Sequence, residues 1–398
     1  MEFLKVMLHL VLGFLGIHSN TASANEVAPP LPSSSIARDP NTILILFGTR
    51  HGCRNPENYV NPSDKSWGQE GPLELNRIGK KQALGLGKEI RKFIGNDYIN
   101  ANYFGKEAVF YASSAPRCQM TLQTAIAGLY TPLGFADWDK RYDNWSPVPY
   151  TIDDQLLRMY NVKNCPKSDE AWAPISNDSL PSLAKMESEN IELLKYMAEN
   201  TGWQPKVSLA ADLADNIIMI EHTRAKYPQW MNKPTLAGYD KKKLIAAYSE
   251  FAEAHYKACA EHMPCRQMMG GYWLKHTIDS MKTAATGKGP KVIGYASHTE
   301  VTLAVMKLMG YTRKELTTSA GFVLEFKNTP QAMVRLLEHD PNPVDKHVIY
   351  QGTLIPELSS LQDSNGFIPL ADFEKVIGQF EISDWETACG RTNNCQKA

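Results

Sequence analysis

A strand signal that runs directly into a cluster of arginine and histidine is the most informative segment of this chain. Residues 42–47 (Thr-Ile-Leu-Ile-Leu-Phe) form a continuous apolar run, which is typical of a strand buried on both faces of a sheet. The segment Arg50-His51-Gly52-Cys53-Arg54-Asn55-Pro56 follows closely. Loops that leave the carboxyl ends of parallel strands form the ligand sites of α/β sheets. The pattern therefore predicts a buried strand that delivers this loop to a binding site.

Strand and helix patterns alternate on both sides of a helical middle. Helical spacing covers 73–93 and 119–130, and strand patterns cover 108–111, 292–296, 322–326, 333–337 and 347–350. Four long helical stretches lie between them, at 179–199, 208–225, 241–260 and 272–286. We therefore predict an α/β fold, with a mostly parallel central sheet flanked by helices and a mainly helical insertion. The predicted α/β core comprises 25–146 and 290–398, and the insertion, or cap, comprises 147–289.

The first 24 residues are predicted to be a signal peptide. Residues 6–17 are mostly apolar, and Ala22-Ser23-Ala24 is a small-x-small pattern that predicts cleavage before Asn25. The apolar stretch is shorter than the ~20 residues that span a bilayer, so we expect no stable membrane anchor. The expected product is secreted, and sequons at Asn144 and Asn177 fit a glycosylated surface.

The charge balance limits the class of partner. The chain has 42 Lys and Arg against 43 Asp and Glu, which gives a net charge of -1. Nucleic-acid binding relies on a basic surface that releases counterions, so no nucleic-acid partner is predicted. Any anionic ligand must instead be bound by a few positively charged side chains at defined positions.

The loop after the first strand carries residue types that suit a phosphate group. Guanidinium groups of Arg50 and Arg54 offer planar forks of donors that match phosphate oxygens. A neutral imidazole, here His51, can attack phosphorus as a nucleophile. Gly52 would let the backbone approach the anion, and Pro56 would stiffen the end of the loop.

Seven cysteines occur in the chain, and a secreted protein is expected to pair most of them. His255, Cys259, His262 and Cys265 recur at spacings that bring the first three to one helix face, although Pro264 interrupts that helix. A Cys259–Cys265 disulfide, a zinc site and two thiols are the three alternatives for this cluster. Cys53 could also pair with Cys118, because both adjoin the expected phosphate site.

The loop and several later segments resemble the histidine acid phosphatases, a branch of the histidine phosphatase superfamily that includes prostatic, lysosomal and insect venom acid phosphatases and phytases. The resemblance extends along nearly all of the chain after the signal peptide. The segments that carry it are Arg50–Pro56, the helical pattern that begins at Leu75, Ser113-Ser114-Ala115-Pro116-Arg117, Asn164-Cys165-Pro166, Ala296-Ser297-His298 and Asp384–Cys389.

The resemblance implies a role for each matching residue. His51 would be the nucleophile that becomes phosphohistidine, and Arg50, Arg54, Arg117 and His298 would bind the phosphoryl oxygens. It also implies small phosphomonoester substrates, no cofactor and no metal. The segments around Cys165 and Cys389 are similar to a pair that a disulfide joins in prostatic-type members. The oligomeric state is not readable from the sequence, and a homodimer is the candidate.

The proton donor departs from the common pattern of the family. Members commonly have Asp after the second catalytic histidine, but Thr299 follows His298 here, and a hydroxyl is not an acid near neutral pH. Glu300 lies one residue further, as in the inositol-polyphosphate phosphatase branch, and is the predicted donor. Cys53, where Asp is common, is a second departure. The alternative function is a catalytically weak or inactive phosphatase-fold protein that acts as a secreted binding, venom or salivary component.

Overall fold

The fold is described from a computed structural model, which covers residues 31–64, 66–142 and 145–391. The predicted signal peptide, Asn144 and Cys395 lie outside these residues. The described residues form a sheet of eight strands: β1 (Thr42–Arg50), β2 (Ala108–Ala112), β3 (Thr151–Ile152), β4 (Val292–Ser297), β5 (Gly321–Lys327), β6 (Met333–Pro341), β7 (His347–Gln351) and β8 (Phe367–Pro369).

The strand order is β3-β2-β4-β1-β5-β6-β7, and β8 pairs with β6. The β3-β2, β2-β4 and β4-β1 pairs are parallel, whereas the pairs from β1-β5 onward are antiparallel. The predicted α/β class and its central sheet are confirmed. The antiparallel β5-β6 and β6-β7 pairs follow from the short connections between those strands, because a parallel pair needs a crossover of a dozen or more residues.

The helices in chain order are α1 (Arg77–Ile94), α2 (Pro116–Leu129), α3 (Asp154–Leu157), α4 (Pro166–Ser176), α5 (Pro181–Glu189), α6 (Ile191–Thr201), α7 (Val207–Thr223), α8 (Gln229–Asn232), α9 (Lys241–Ser249), α10 (Ala254–Glu261), α11 (Met263–Ala285), α12 (Thr299–Leu308), α13 (Pro356–Ser359), α14 (Leu370–Ile377) and α15 (Trp385–Ala388). Short 3₁₀ turns cover Gly134–Ala136, Lys140–Tyr142, Met159–Asn161 and Gly378–Phe380. Within the described ranges, no helix is both long and apolar enough to cross a membrane.

Alternate side chains of β1 face helices on opposite sides of the sheet. Ile45 and Phe47 belong to one apolar cluster with Leu86 of α1 and Leu122 of α2. On the opposite face, a Cβ atom at Gly48 would lie 2.8 Å from the Trp273 ring of α11. The continuous apolar run is therefore explained by a strand that is buried on both faces.

The described residues divide into two compact units. One contains 31–54, 75–173 and 259–391, which include the whole sheet, and the other contains 55–74 and 174–258. The second unit is mostly helical, with α5 to α9. It is shorter at both ends than the predicted insertion 147–289, and it includes a segment of the loop that follows β1. Helix α11, which the predicted insertion included, packs on the sheet through Trp273.

Candidate active site

The sheet brings three chain segments together at the carboxyl ends of neighbouring strands. Arg50, the last residue of β1, lies beside Ser297, the last residue of β4, and β2 ends next to β4 at Ala112. The His51 N–H donates to the Ser297 carbonyl at 2.9 Å. The residues that follow the three strands, His51, Ser113 and His298, therefore lie at one edge of the sheet.

His51 has the protonation state that a nitrogen nucleophile needs. Its Nδ1 lies 2.9 Å from the Gly52 carbonyl oxygen, which can only accept, so Nδ1 carries the proton and Nε2 keeps its lone pair. The side chain is almost fully buried. Burial, together with the positive charges of Arg117 and Arg50, holds the pKa of His51 well below its usual 6.5. The imidazole therefore stays neutral to a lower pH than an exposed histidine does.

Three predicted arginines surround His51. Arg50 donates to the Leu316 carbonyl, which fixes its position at the end of β1. Arg117 lies in the first turn of α2, and Arg54 follows in the loop after His51. All three charges act on the pKa of His51. The Nε atom of Arg117 is buried and has no hydrogen-bond partner within the described residues.

His298 lies opposite His51, with ring centroids 5.9 Å apart. Its Nδ1 accepts a hydrogen bond from Arg117 Nη2 at 3.1 Å, so its Nε2 carries the proton and donates to Ser113 Oγ at 2.8 Å. Burial, followed by the charges of Arg117 and Arg158, lowers the pKa of His298 well below 6.5. Arg117 thus connects the second histidine to the cluster of arginines.

Glu300 belongs to the same cluster, although it lies one residue beyond the usual donor position. It is in the first turn of α12, and only 4% of the residue is exposed. Burial raises the pKa of its carboxyl group above 4.5, while hydrogen bonds from its own backbone N–H and from Tyr160, and the charges of Arg117 and Arg50, oppose that shift. The carboxyl group therefore keeps its proton to a higher pH than an exposed glutamate does.

Two helices point their amino ends at this edge of the sheet. Neither α2 nor α12 has a side chain that caps its first turn, since the N-cap residues are Ala115 and His298. By contrast, Asn76 caps α1 by accepting from the N–H groups of Ile78 and Gly79. The first N–H groups of α2 and α12 favour an anion at their helix ends, which suits a phosphate group.

A comparison with known proteins identifies the family of this chain. The family model described as Histidine phosphatase superfamily (branch 2) matches residues 55–327, which is more than half of the chain. The chain belongs to this family. Prostatic acid phosphatase of Bos taurus is 23% identical over 98% of this chain and 95% of that protein. Lysosomal acid phosphatase of Xenopus laevis is 23% identical over 92% of this chain and 82% of that protein.

A solved phytase has a similar fold. Hafnia alvei phytase, in complex with myo-inositol hexakis sulphate, superposes with a TM-score of 0.63 at 14% identity and covers 88% of this chain and 98% of its own. The prediction of a histidine acid phosphatase is confirmed at the level of the family. The chain is accordingly a phosphatase, and the family supports hydrolysis of phosphate monoesters.

In this histidine phosphatase, the loop that carries His51 is tied to α1 and α2. The Gly52 N–H donates to Thr121 Oγ1 at 3.0 Å, and the Cys53 N–H donates to Gln82 Oε1 at 2.8 Å. A Cβ atom on Gly52 would lie 2.6 Å from the Gly79 carbonyl oxygen of α1. Glycine is therefore required for close packing against α1, which differs from the predicted reason, an approach of the backbone to the anion.

Two residues of the histidine phosphatase site were not predicted from the sequence. Arg158 donates to Ser114 Oγ at 3.2 Å, and its charge acts on the pKa of His298. Tyr160 contacts the His298 ring, with centroids 5.8 Å apart, and hydrogen-bonds Glu300. Both lie in or beside the 3₁₀ turn that precedes the Cys165 segment. The sequence pointed to them only through their position a few residues before Cys165, which lies in a segment that resembles the family.

The cysteines of the described residues resolve most of the pairing alternatives. The sulfur atoms are 2.06 Å apart in Cys165–Cys389 and 2.15 Å apart in Cys259–Cys265, which is disulfide distance. Cys53 and Cys118 are not joined to each other. The Cys259–Cys265 bond uses both thiols that the zinc alternative needed.

The two histidines of the zinc alternative do not share a helix. Helix α10 ends at Glu261, so His262 is outside it, and His255 Nε2 is 2.6 Å from Asp178 Oδ1. No group of three potential metal ligands occurs among the residues that the structure describes.

Proposed function

We propose that this protein is an acid phosphatase that hydrolyses small phosphate monoesters through a phosphohistidine on His51. The observation that carries the proposal is the tautomer of His51: Nδ1 is tied to the Gly52 carbonyl, and Nε2 keeps its lone pair among Arg50, Arg54 and Arg117. A lone pair on a fixed ring surrounded by guanidinium groups suits attack on phosphorus, because the arginines stabilise charge on the phosphoryl oxygens.

In the first step, His51 Nε2 bonds to phosphorus and the bond from phosphorus to the ester oxygen breaks. The leaving oxygen takes a proton from the Glu300 carboxyl group, so an alcohol and a Glu300 carboxylate result. Arg50, Arg54 and Arg117 donate to the phosphoryl oxygens, and His298 donates to them through its Nε2–H, which must leave Ser113 Oγ to do so. Arg117 must release His298 Nδ1 for its fork to reach the phosphate, since the two are hydrogen-bonded without ligand.

In the second step, water attacks the phosphohistidine and the bond between Nε2 and phosphorus breaks. The Glu300 carboxylate takes the proton of the water, which restores the donor for the next cycle. Inorganic phosphate leaves, and His51 returns to its neutral form. Every proton in the cycle is thus exchanged with the substrate or with water, and no cofactor is needed.

The two pKa shifts give the proposed reaction an acidic optimum. The Glu300 donor is active when protonated, so the rate falls as pH rises through its raised pKa. The His51 nucleophile is active when neutral, so the rate falls as pH drops through its lowered pKa. The active window lies above the lowered pKa of His51 and below the raised pKa of Glu300.

Secretion is part of the proposal. The amino-terminal pattern of a signal peptide supports it, as do the two cysteine pairs at disulfide distance, which suit an oxidising compartment. The similar proteins named above are called lysosomal and prostatic. Asn177 is exposed and available for a glycan. The homodimer stays a prediction.

The proposal is tested by comparing Glu300→Gln with wild-type protein on an alkyl phosphate and on 4-nitrophenyl phosphate. We expect a loss of about 100- to 10,000-fold on the alkyl ester, which needs general-acid help, and a much smaller loss on the aryl ester during phosphoenzyme formation. Nitrophenolate leaves without a proton, so burst-phase rates separate the two. Equal losses on both esters would make Glu300 a structural residue. Wild-type protein that hydrolysed neither ester would support the inactive alternative.

A further inference from the structure

Tyr160 is held in place by contacts around its ring and at its hydroxyl group. Its ring stacks on Trp172 of α4, with centroids 6.3 Å apart and planes within 22°. Its edge contacts the His298 ring at 5.8 Å, and the Arg158 guanidinium lies 5.6 Å from its centroid. Its hydroxyl hydrogen-bonds the Glu300 carboxyl group. A side chain with so few remaining degrees of freedom can fix the orientation of its hydrogen-bond partner.

The contact matters because Glu300 has a longer and more mobile side chain than the aspartate that is common at the donor position. A carboxyl group has two oxygens, and only the protonated one can serve the leaving group. A phenol that donates to one oxygen leaves the proton on the other. It also reduces the rotamer freedom of Glu300, which otherwise lowers the fraction of productive geometries.

We propose that Tyr160 is a positioning residue for proton transfer, which holds Glu300 so that its protonated oxygen faces the leaving group. The proposal rests on the proposed donor role of Glu300. It adds Tyr160 as the residue that orients the glutamate for proton transfer. Tyr160 keeps its own proton throughout, since it donates a hydrogen bond to Glu300 in both steps. The aromatic pair Tyr160 and Trp172 thereby becomes part of the catalytic geometry without touching the reacting atoms.

The effect on pH dependence follows from the groups that face Glu300. Arg50 approaches from β1, Arg117 and the Cys118 thiol approach from α2, and Tyr160 approaches from the 3₁₀ turn. A hydrogen bond from the Glu300 backbone N–H, the Tyr160 hydrogen bond and the two arginines favour the carboxylate. Tyr160→Phe removes one of these four effects, so the pKa of Glu300 must rise further.

The test compares Tyr160→Phe with wild-type protein by pH profiles of kcat/KM on the alkyl phosphate and on 4-nitrophenyl phosphate. We expect about a tenfold loss on the alkyl ester and little loss on the aryl ester, together with a shift of the alkaline limb to higher pH. In the Glu300→Gln background, Tyr160→Phe should cause no further loss on the alkyl ester. The control is Tyr130→Phe, which removes a buried hydroxyl that has no hydrogen-bond partner in the described part of the chain.

The outcomes separate this inference from the proposed function. Equal losses on both esters in Tyr160→Phe, or an alkaline limb that does not move, would overturn the positioning role, provided that the variant unfolds at the wild-type temperature. If Tyr160→Phe unfolds at a lower temperature, the profiles are repeated well below that temperature, where the variant is fully folded and the same two outcomes apply. If Glu300→Gln itself fails to discriminate between the esters, both the donor assignment and this inference are wrong.

Discussion

A single hydrogen bond explains why His51, rather than another nitrogen of the site, is suited to attack phosphorus. Two ring nitrogens compete for one proton in a neutral imidazole, and the Gly52 carbonyl holds that proton on Nδ1 of His51. In His298 the pattern is reversed, because Arg117 donates to Nδ1 and the proton lies on Nε2. Two histidines 5.9 Å apart therefore carry opposite tautomers, which assigns them different tasks.

Arg117 has a geometric role that a point charge cannot replace. Its Nη2 reaches His298 while its buried Nε has no partner within the described chain, so a bound phosphate would complete its hydrogen bonds. Arg117→Ala is expected to weaken competitive inhibition by inorganic phosphate about 100-fold, and Arg117→Lys is expected to recover only part of that loss. The measurement is the inhibition constant of phosphate, with the exposed Arg141→Ala as the control. An unchanged inhibition constant in Arg117→Ala would remove this arginine from the phosphate site.

The observed bounds of strands and helices show which of them could be predicted from the sequence. The strand pattern at 42–47 was predicted correctly, because a strand buried on both faces must be apolar throughout. Helix α11 begins at Met263, nine residues before the prediction, because Pro264 occupies the first turn and starts this helix. The predicted helix at 241–260 divides into α9 and α10, since Glu253 adopts a left-handed conformation between them.

The site was predictable only where its residues are close in sequence or match a family motif. Arg50, His51 and Arg54 lie within five consecutive positions, so their chemistry was readable directly. Arg158 and Tyr160 have no such pattern, and only the tertiary fold brings them beside His298 and Glu300. The tautomers of His51 and His298 also depend on backbone and side-chain partners that sequence spacing does not specify.

Helix α1 packs closely against the loop that carries His51, with Gly79 of the helix next to Gly52 of the loop. A Cβ atom on Gly79 would lie 2.3 Å from the Cys53 carbonyl oxygen and 2.7 Å from the Cys53 nitrogen. Gly79→Ala is expected to lower the free energy of unfolding by about 1–3 kcal/mol and to reduce activity, because the loop must move away from α1. Urea titration and turnover of 4-nitrophenyl phosphate measure the two effects. Gly378→Ala is the control, since a Cβ atom there would have its nearest neighbouring atom 3.6 Å away. Equal effects in both variants would contradict the packing argument.

At the scale of the whole molecule, the two disulfides should differ in their contribution to stability. Cys165–Cys389 has a sequence separation of 224, whereas Cys259–Cys265 has a separation of 6. In the chain-entropy model, the long loop contributes about 5 kcal/mol and the short one about 2 kcal/mol. The double variant Cys165→Ser/Cys389→Ser should therefore unfold at lower urea concentration than the matched double variant Cys259→Ser/Cys265→Ser. The reverse order would mean that local packing, and not loop closure, sets the difference.

The α/β unit as a whole supports one central claim, a covalent phosphohistidine on His51. Phosphoenzyme should accumulate in Glu300→Gln supplied with 4-nitrophenyl phosphate, because formation needs no proton donor while the attacking water lacks its base. The protein is quenched in alkaline denaturant, which preserves phosphohistidine, and is then digested and mapped by mass spectrometry. We predict close to one phosphate per chain on His51, and none after His51→Ala is added. Phosphate on another residue, or a burst of nitrophenol with no bound phosphate, would contradict the account.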